Sequence, residues 1–189
     1  MADSSLPEAN LQEWVRQAQN GDTDAFARLY DHFFPAIYRY AAFRLPKEAA
    51  EDVTADIFVK AWEKLHTYRS HRSVPFGAWL FRIARHTVID AYRTRHDTEE
   101  MDDTFIDPDV FNRADTHAHR QDLLRIVRSA MDKLPRRYRE ILLLTFVSEL
   151  PHHEVARILR LTEGAVRILK LRALRKLERL LPTDIRFDT

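Results

Sequence analysis

Glycine is what this sequence most lacks. Three glycines in 189 residues leave few sites for the positive-φ turns that join strands, whereas leucine, alanine, arginine and glutamate, all good helix formers, are abundant. The composition predicts an all-α chain, long enough for one large domain or two small ones. Cysteine is absent, which excludes disulfide staples and thiolate metal sites and is compatible with a reducing compartment. The opening stretch MADSSLPEANLQEWV has neither a basic region nor an apolar run, so no signal peptide is expected. No apolar stretch approaches the roughly 20 residues of a membrane span. No membrane insertion is expected, and a cytoplasmic location is.

The net charge of +1 hides an uneven layout. Residues 1–96 are close to neutral, with 13 basic and 12 acidic side chains. Residues 97–115 carry one basic and eight acidic, and residues 116–189 carry sixteen basic and nine acidic. A basic module beside an acidic tether points to a polyanionic partner. Helical periodicity divides the chain in the same way. A first helix runs over about residues 10–20 and stops at Asn20-Gly21; a second is capped by Asp22 or Thr23, with Pro35 inside it expected to kink or restart it. Residues 47–66 place Val53, Ile57, Ala61 and Leu65 at helical spacing, and residues 76–95 place Trp79, Ile83 and Ile89 inward. The acidic stretch lacks periodicity and reads as a linker. Helices are then expected over about 117–133, 136–148, 151–160 and 163–181. The architecture expected is two small helical domains joined by an acidic linker: 1–96, 97–116 and 117–189.

Residues 151–181 read helix, turn, helix. Pro151 suits a first helical position, LTEG breaks the pattern, and Thr162 can cap the last helix. That is the layout of a helix-turn-helix, whose second helix enters the major groove. From Arg157 to Arg179 there are eight basic and two acidic residues, a balance suited to phosphate contact. In the last helix Val166, Leu169, Ala173, Leu174, Leu177 and Leu181 form an inward stripe, yet Ile168 and Leu171 lie among the outer arginines. Three readings stand for that pair: contact with thymine methyl groups, cover by a protein partner, or cover by another helix of the domain.

Three passages resemble the bacterial RNA polymerase sigma factors, in the compact extracytoplasmic-function (ECF) class of the sigma-70 family. AEDVTADIFVKAW (50–62) is similar to the helix that docks on the polymerase clamp; Asp52, Asp56, Phe58 and Trp62 take the matching places. FGAWLFRIARHTVIDAYRTR (76–95) is similar to the helix that melts DNA and reads the −10 element, with Trp79, Arg82, Arg85, His86, Asp90 and Arg93 matching. LPRRYREILLLTFVSELPHHEVARILRLTEGAVR (134–167) resembles the −35-reading domain. The resemblance implies several partners: the clamp of the largest polymerase subunit, the flap of the second-largest, promoter DNA and an anti-sigma factor. It implies no cofactor. For the −10 element the implied residues are Tyr68, Arg69, Ser70, His71, Arg82, Arg85, His86, Arg93 and Arg95. For the −35 element they are Thr162, Glu163, Gly164, Arg167, Ile168, Lys170, Leu171 and Arg175. Two departures stand out. Ala55 replaces a common glutamine, and Ile168-Leu169-Lys170 replaces a small-polar, Arg, Leu sequence, so promoter preference does not carry over.

Elementary physics gives each passage a role. Asp52 and Asp56, four apart, share a helix face suited to a basic partner. Phe58 and Trp62 read as core or as interface anchors, and Trp79 as core rather than a stacking platform. Unstacked bases and their phosphates suit the basic strip on the 76–95 helix. The acidic linker reads either as a mimic of nucleic acid in the polymerase channels or as a solvated spacer. No metal site is expected: His153-Glu154-Val155-Ala156-Arg157 lacks the second histidine of the zinc-protease pattern, and His117 and His119 lack a third ligand. No catalytic constellation is evident, so an enzyme is not expected. The rival functions are a free-standing helix-turn-helix regulator, which would bind a two-fold operator alone, and a helical adaptor that binds protein only.

Overall fold

The computed structural model describes residues 8–69, 74–96 and 117–182. Among the described residues eight α-helices follow in order: α1 (Glu8–Gln19), α2 (Thr23–Ala42), α3 (Lys47–Lys64), α4 (Phe76–His96), α5 (His117–Asp132), α6 (Arg136–Leu142), α7 (His152–Leu159) and α8 (Glu163–Leu180). A 3₁₀ turn, Leu65–Thr67, follows α3, and a π-helical turn, Leu143–Val147, prolongs α6. No strand occurs among the described residues. The acidic stretch expected to link the halves lies outside them.

Local chemistry sets the helix ends. The Asp22 carboxylate accepts from the N–H groups of Asp24 at 2.9 Å and Ala25 at 3.0 Å, capping α2. Pro35 does not restart that helix, which continues unbroken to Ala42. The proline forfeits one backbone hydrogen bond and crowds the preceding turn. Against this, Leu29, Phe33, Ile37 and Tyr40 bury one continuous face, worth about 1.5–3 kcal/mol per large apolar side chain. Pro151 sits one residue earlier than expected, at the N-cap of α7. Arg160 ends α7 in the left-handed region, with φ 56° and ψ 51°, and so turns the chain toward α8.

The N-terminal half packs α1 through α4 around Leu29, Ile37, Ile57, Leu80 and Phe81; the C-terminal half packs α6, α7 and α8 around Ile141, Leu144, Val155 and Val166. One apolar cluster runs through both. Two stripes differ from the periodicity reading. In α4 the buried apolar side chains are Phe76, Ala78, Leu80, Phe81, Ala84 and Val88, while Trp79, Ile83 and Ile89 are half-buried. With elements packed on several of its sides, α4 has no single apolar stripe to find. In α8, Leu174 is exposed beside Ile168 and Leu171. No described helix is long and apolar enough to cross a membrane.

Candidate nucleic-acid interfaces

Three surfaces gather the residues of interest. On α3, Asp52 and Asp56 are exposed, and Lys60 reaches back to pair with Asp56 at 2.6 Å. Val59 is 56% exposed and Trp62 39%. The Trp62 indole meets the edge of Phe26 with ring centres 4.8 Å apart, which holds it in place while one face stays open. Phe58 departs from this surface: it is buried against Tyr30, ring centres 4.5 Å apart, and belongs to the core. Val59 replaces it as the second apolar group. The i, i+4, i+7 spacing of Asp52, Asp56 and Val59 carries that information, but an aromatic pair draws attention first.

The second surface is a groove of about 400 Å³ between α3 and α4, lined by Lys60, Lys64, Trp79, Arg82, Ile83, His86, Thr87 and Asp90. Four basic groups and one acid share it. Arg82 Nε is enclosed and has no hydrogen-bond partner among the described residues, so its charge is available to a ligand that enters. The His86 ring is held by its Nδ1 against the Arg82 carbonyl oxygen at 2.7 Å. Trp79 packs on Tyr68 and Phe76, ring centres 5.5 and 5.3 Å away, yet remains half-exposed to the groove. It serves as wall and core together.

The other residues expected to meet the −10 element scatter. Arg85 points away from the groove toward the C-terminal half, and Arg93 is exposed farther along α4. Tyr68 is buried and donates its O–H to the Val74 carbonyl at 2.9 Å, so its ring braces the start of α4 and presents no face to solvent. Arg69 is exposed. Ser70, His71 and the Arg95 side chain lie outside the described residues. Lys60 and Lys64 were not expected here; they stand four apart on α3 and reach the groove from the side opposite Arg82.

The third surface is the outer face of α8. Thr162 Oγ1 accepts from the Ala165 N–H at 3.2 Å and caps the helix. Arg167, Ile168, Leu171, Arg172, Leu174 and Arg175 are all exposed, with Ile168 at 54% and Leu171 at 50%. Among the described residues no helix covers that pair, which goes against the third of the readings offered for it. Glu163 lies 3.8 Å from Arg167, and nothing stands within 4 Å of a Cβ placed on Gly164. Lys170 is drawn inward: its Nζ lies 3.0 Å from His152 Nε2 and over the Phe146 ring at 5.5 Å. Burial, then the charges of Lys170 and Arg167, hold the His152 pKa below the ordinary 6.5. A neutral His152 therefore accepts from the Lys170 ammonium group. Arg172, Leu174 and Phe146 join this face although none was among the residues expected to meet the −35 element; Leu174 was expected in the inward stripe and is exposed instead.

The described residues thus present an acidic-apolar helix face, a basic groove and an arginine-aliphatic helix after a tight turn. Comparison with known proteins gives the family. Residues 29–98 match the model of sigma-70 region 2, and residues 124–177 match that of sigma-70 region 4. The ECF RNA polymerase sigma factor BldN of Streptomyces coelicolor is 35% identical over 181 residues, covering 94% of this chain and 68% of BldN. This chain belongs to the ECF sigma factors of the sigma-70 family. The RNA polymerase sigma factor CnrH of Cupriavidus metallidurans is 33% identical over 179 residues, 89% of this sigma factor and 92% of CnrH. The structure of CnrH in complex with the cytosolic domain of CnrY superposes with a TM-score of 0.69 at 32% identity, over 90% of this chain and 96% of that one. The α3 face and the basic groove fall within the region 2 match, and α8 falls within the region 4 match as far as residue 177. Sigma factors are initiation factors and not catalytic enzymes.

Proposed function

We propose that this sigma factor docks on core RNA polymerase through α3 and reads a two-part promoter through α4 and α8. Asp52 and Asp56 face a basic coiled coil on the clamp of the largest subunit, with Val59 and Trp62 supplying apolar contact. The groove formed by Lys60, Lys64, Arg82 and His86 takes the phosphates and unstacked bases of the −10 strand, and Arg69, Arg85 and Arg93 extend the basic track. On α8, Arg167, Arg172 and Arg175 meet phosphates and guanine edges, while Ile168 and Leu171 pack on thymine methyl groups. Residues 1–96 and 117–189 form the two working modules, with 97–116 between them, and the second also meets the polymerase flap. The protein acts in the cytoplasm, makes or breaks no covalent bond itself, and is held in check by an anti-sigma factor.

The observation that carries the polymerase part is the α3 face: two exposed carboxylates beside an exposed valine and a half-exposed tryptophan fixed by Phe26. A free-standing DNA-binding regulator has no use for it. Co-purification with core RNA polymerase tests the reading. Wild type is expected to bind, and an Asp52→Arg/Asp56→Arg variant with unchanged helicity is expected to lose at least about tenfold in affinity, since like charges across an interface cost several kcal/mol. A folded wild type that fails to bind core polymerase would overturn it in favour of a free-standing regulator.

A further inference from the structure

A carboxylate is buried where the two halves of the chain meet. Glu140 of α6 is 1% exposed, and cations and a hydroxyl of the N-terminal half surround it. Tyr40 donates its O–H to Oε1 at 2.5 Å, Arg44 donates from Nη2 to Oε2 at 2.8 Å, and Arg85 Nε lies 3.3 Å from Oε1. Arg44 also donates to the Tyr40 hydroxyl, which closes the ring of contacts. Burial and then the Glu140 charge push the Tyr40 phenol well above its usual range, so it remains a donor. Burial opposes the Arg44 charge, but Tyr40 and Glu140 outweigh it and hold its pKa above the ordinary value. A carboxylate so enclosed is tolerated only when it is paired. Around it, Arg39 donates to the Val147 carbonyl at 2.9 Å and pairs with Glu149 at 3.1 Å, and Arg128 donates to the Ala42 carbonyl at 2.8 Å. Nearby, α7 lies across the first turn of α4, so close that a Cβ on Gly77 would stand 3.0 Å from Glu154 Oε2.

These contacts engage parts that promoter binding needs free. Arg85 lies on α4, and α7 is the first helix of the helix-turn-helix. Elements named for positions −10 and −35 lie about 25 base pairs apart, roughly 85 Å along the duplex. A compact body of this length is only about 40 Å across, so halves packed in this way cannot reach both elements. We infer that Glu140 is a clasp: it holds a closed form in which a protein carboxylate occupies Arg85 in place of a DNA phosphate, and promoter recognition requires its release. This rests on the reading of α4 and α8 as DNA-contacting helices.

The absence of native cysteine makes the test direct. Arg28→Cys and Lys176→Cys, both at exposed positions, accept spin or fluorescent labels, and the distance between them is measured in the full chain without polymerase. Wild type is expected to give one short-distance population. Glu140→Gln is expected to raise the opening constant at least about 100-fold, because a buried pair is broken from one side. Free promoter DNA should then bind more tightly by the same factor, up to the point where the open form dominates. Tyr40→Phe, which keeps the ring and removes only the donor, is expected to raise opening about tenfold and covers the case in which Glu140→Gln fails to fold. A wild type already open, or a distance distribution unchanged in Tyr40→Phe and in folded Glu140→Gln, overturns the clasp. Initiation by core polymerase loaded with the unlabelled chain is scored separately: its failure in wild type and variants alike overturns the DNA-binding reading, while the distances judge the closed form by themselves.

Discussion

Gly164 offers a perturbation whose two readouts should move in opposite directions. It is the second residue of α8, its φ is not in the left-handed region, and an added Cβ would meet nothing within 4 Å. Neither backbone conformation nor packing within the chain requires glycine there. Alanine inside a helix is favoured over glycine by about 0.5–1 kcal/mol, and a first-turn position earns the lower end of that range. For a chain of this length 1 kcal/mol moves Tm by about 2–4 °C, so Gly164→Ala should raise Tm by about 1–3 °C in a thermal melt followed by circular dichroism. The open space has another use if α8 approaches DNA. A helix N-terminus favours a phosphate, and a methyl group at Gly164 stands in its path. Holoenzyme carrying the variant should lose about tenfold in affinity for duplex promoter DNA, measured by fluorescence anisotropy at fixed salt. A lower Tm would refute the structural part of this reasoning. A higher Tm with unchanged promoter affinity would refute the claim that this end of α8 meets DNA.

Two further outcomes follow from named contacts. Gly77→Ala should behave oppositely to Gly164→Ala, because its Cβ would stand 3.0 Å from both Glu154 Oε2 and Phe33 Cε1; a loss of about 1–3 kcal/mol in urea unfolding is expected, and none would show that the site is loose. His152 has a lowered folded pKa, so the unfolded chain binds its proton more readily as pH falls below 6.5; this histidine therefore weakens the fold on acidification and is neutral in its effect above that point. Titration by nuclear magnetic resonance should place His152 below 6.5, and should raise it when Lys170 is replaced by methionine; a value at or above 6.5 in wild type would contradict the Lys170 contact.

Much of the fold was legible because it rests on local signals. The caps Asp22 and Thr162 and the breaks near Asn20-Gly21 and Leu161 are written in adjacent residues, and the structure uses each of them. Where tertiary packing decides, the sequence was a poorer guide. In α4, several elements compete for the same circumference, so Leu80 and Phe81 are buried while Trp79 and Ile83 line a groove. Phe58 and Tyr68 look like exposed aromatics on a functional stretch, but partners from other elements cover them. The π-helical turn in LLTFV has no sequence mark that distinguishes it from a plain helix. Glu140 was the least visible of all. Within RRYREILLL it resembles any solvated helix acid, and the groups that enclose it, Tyr40 and Arg44, stand 100 and 96 residues away. Its role depends on a pairing between halves that no local pattern records.

The most direct test of the central claim is to transcribe genomic DNA with bacterial core RNA polymerase in vitro, with and without this chain, and to sequence the 5′ ends of the products. The predicted result is a set of starts that appear only when the chain is present, that share a two-part upstream motif, and that vanish with the Asp52→Arg/Asp56→Arg variant. Starts that do not depend on the chain, or that share no upstream motif, would contradict it.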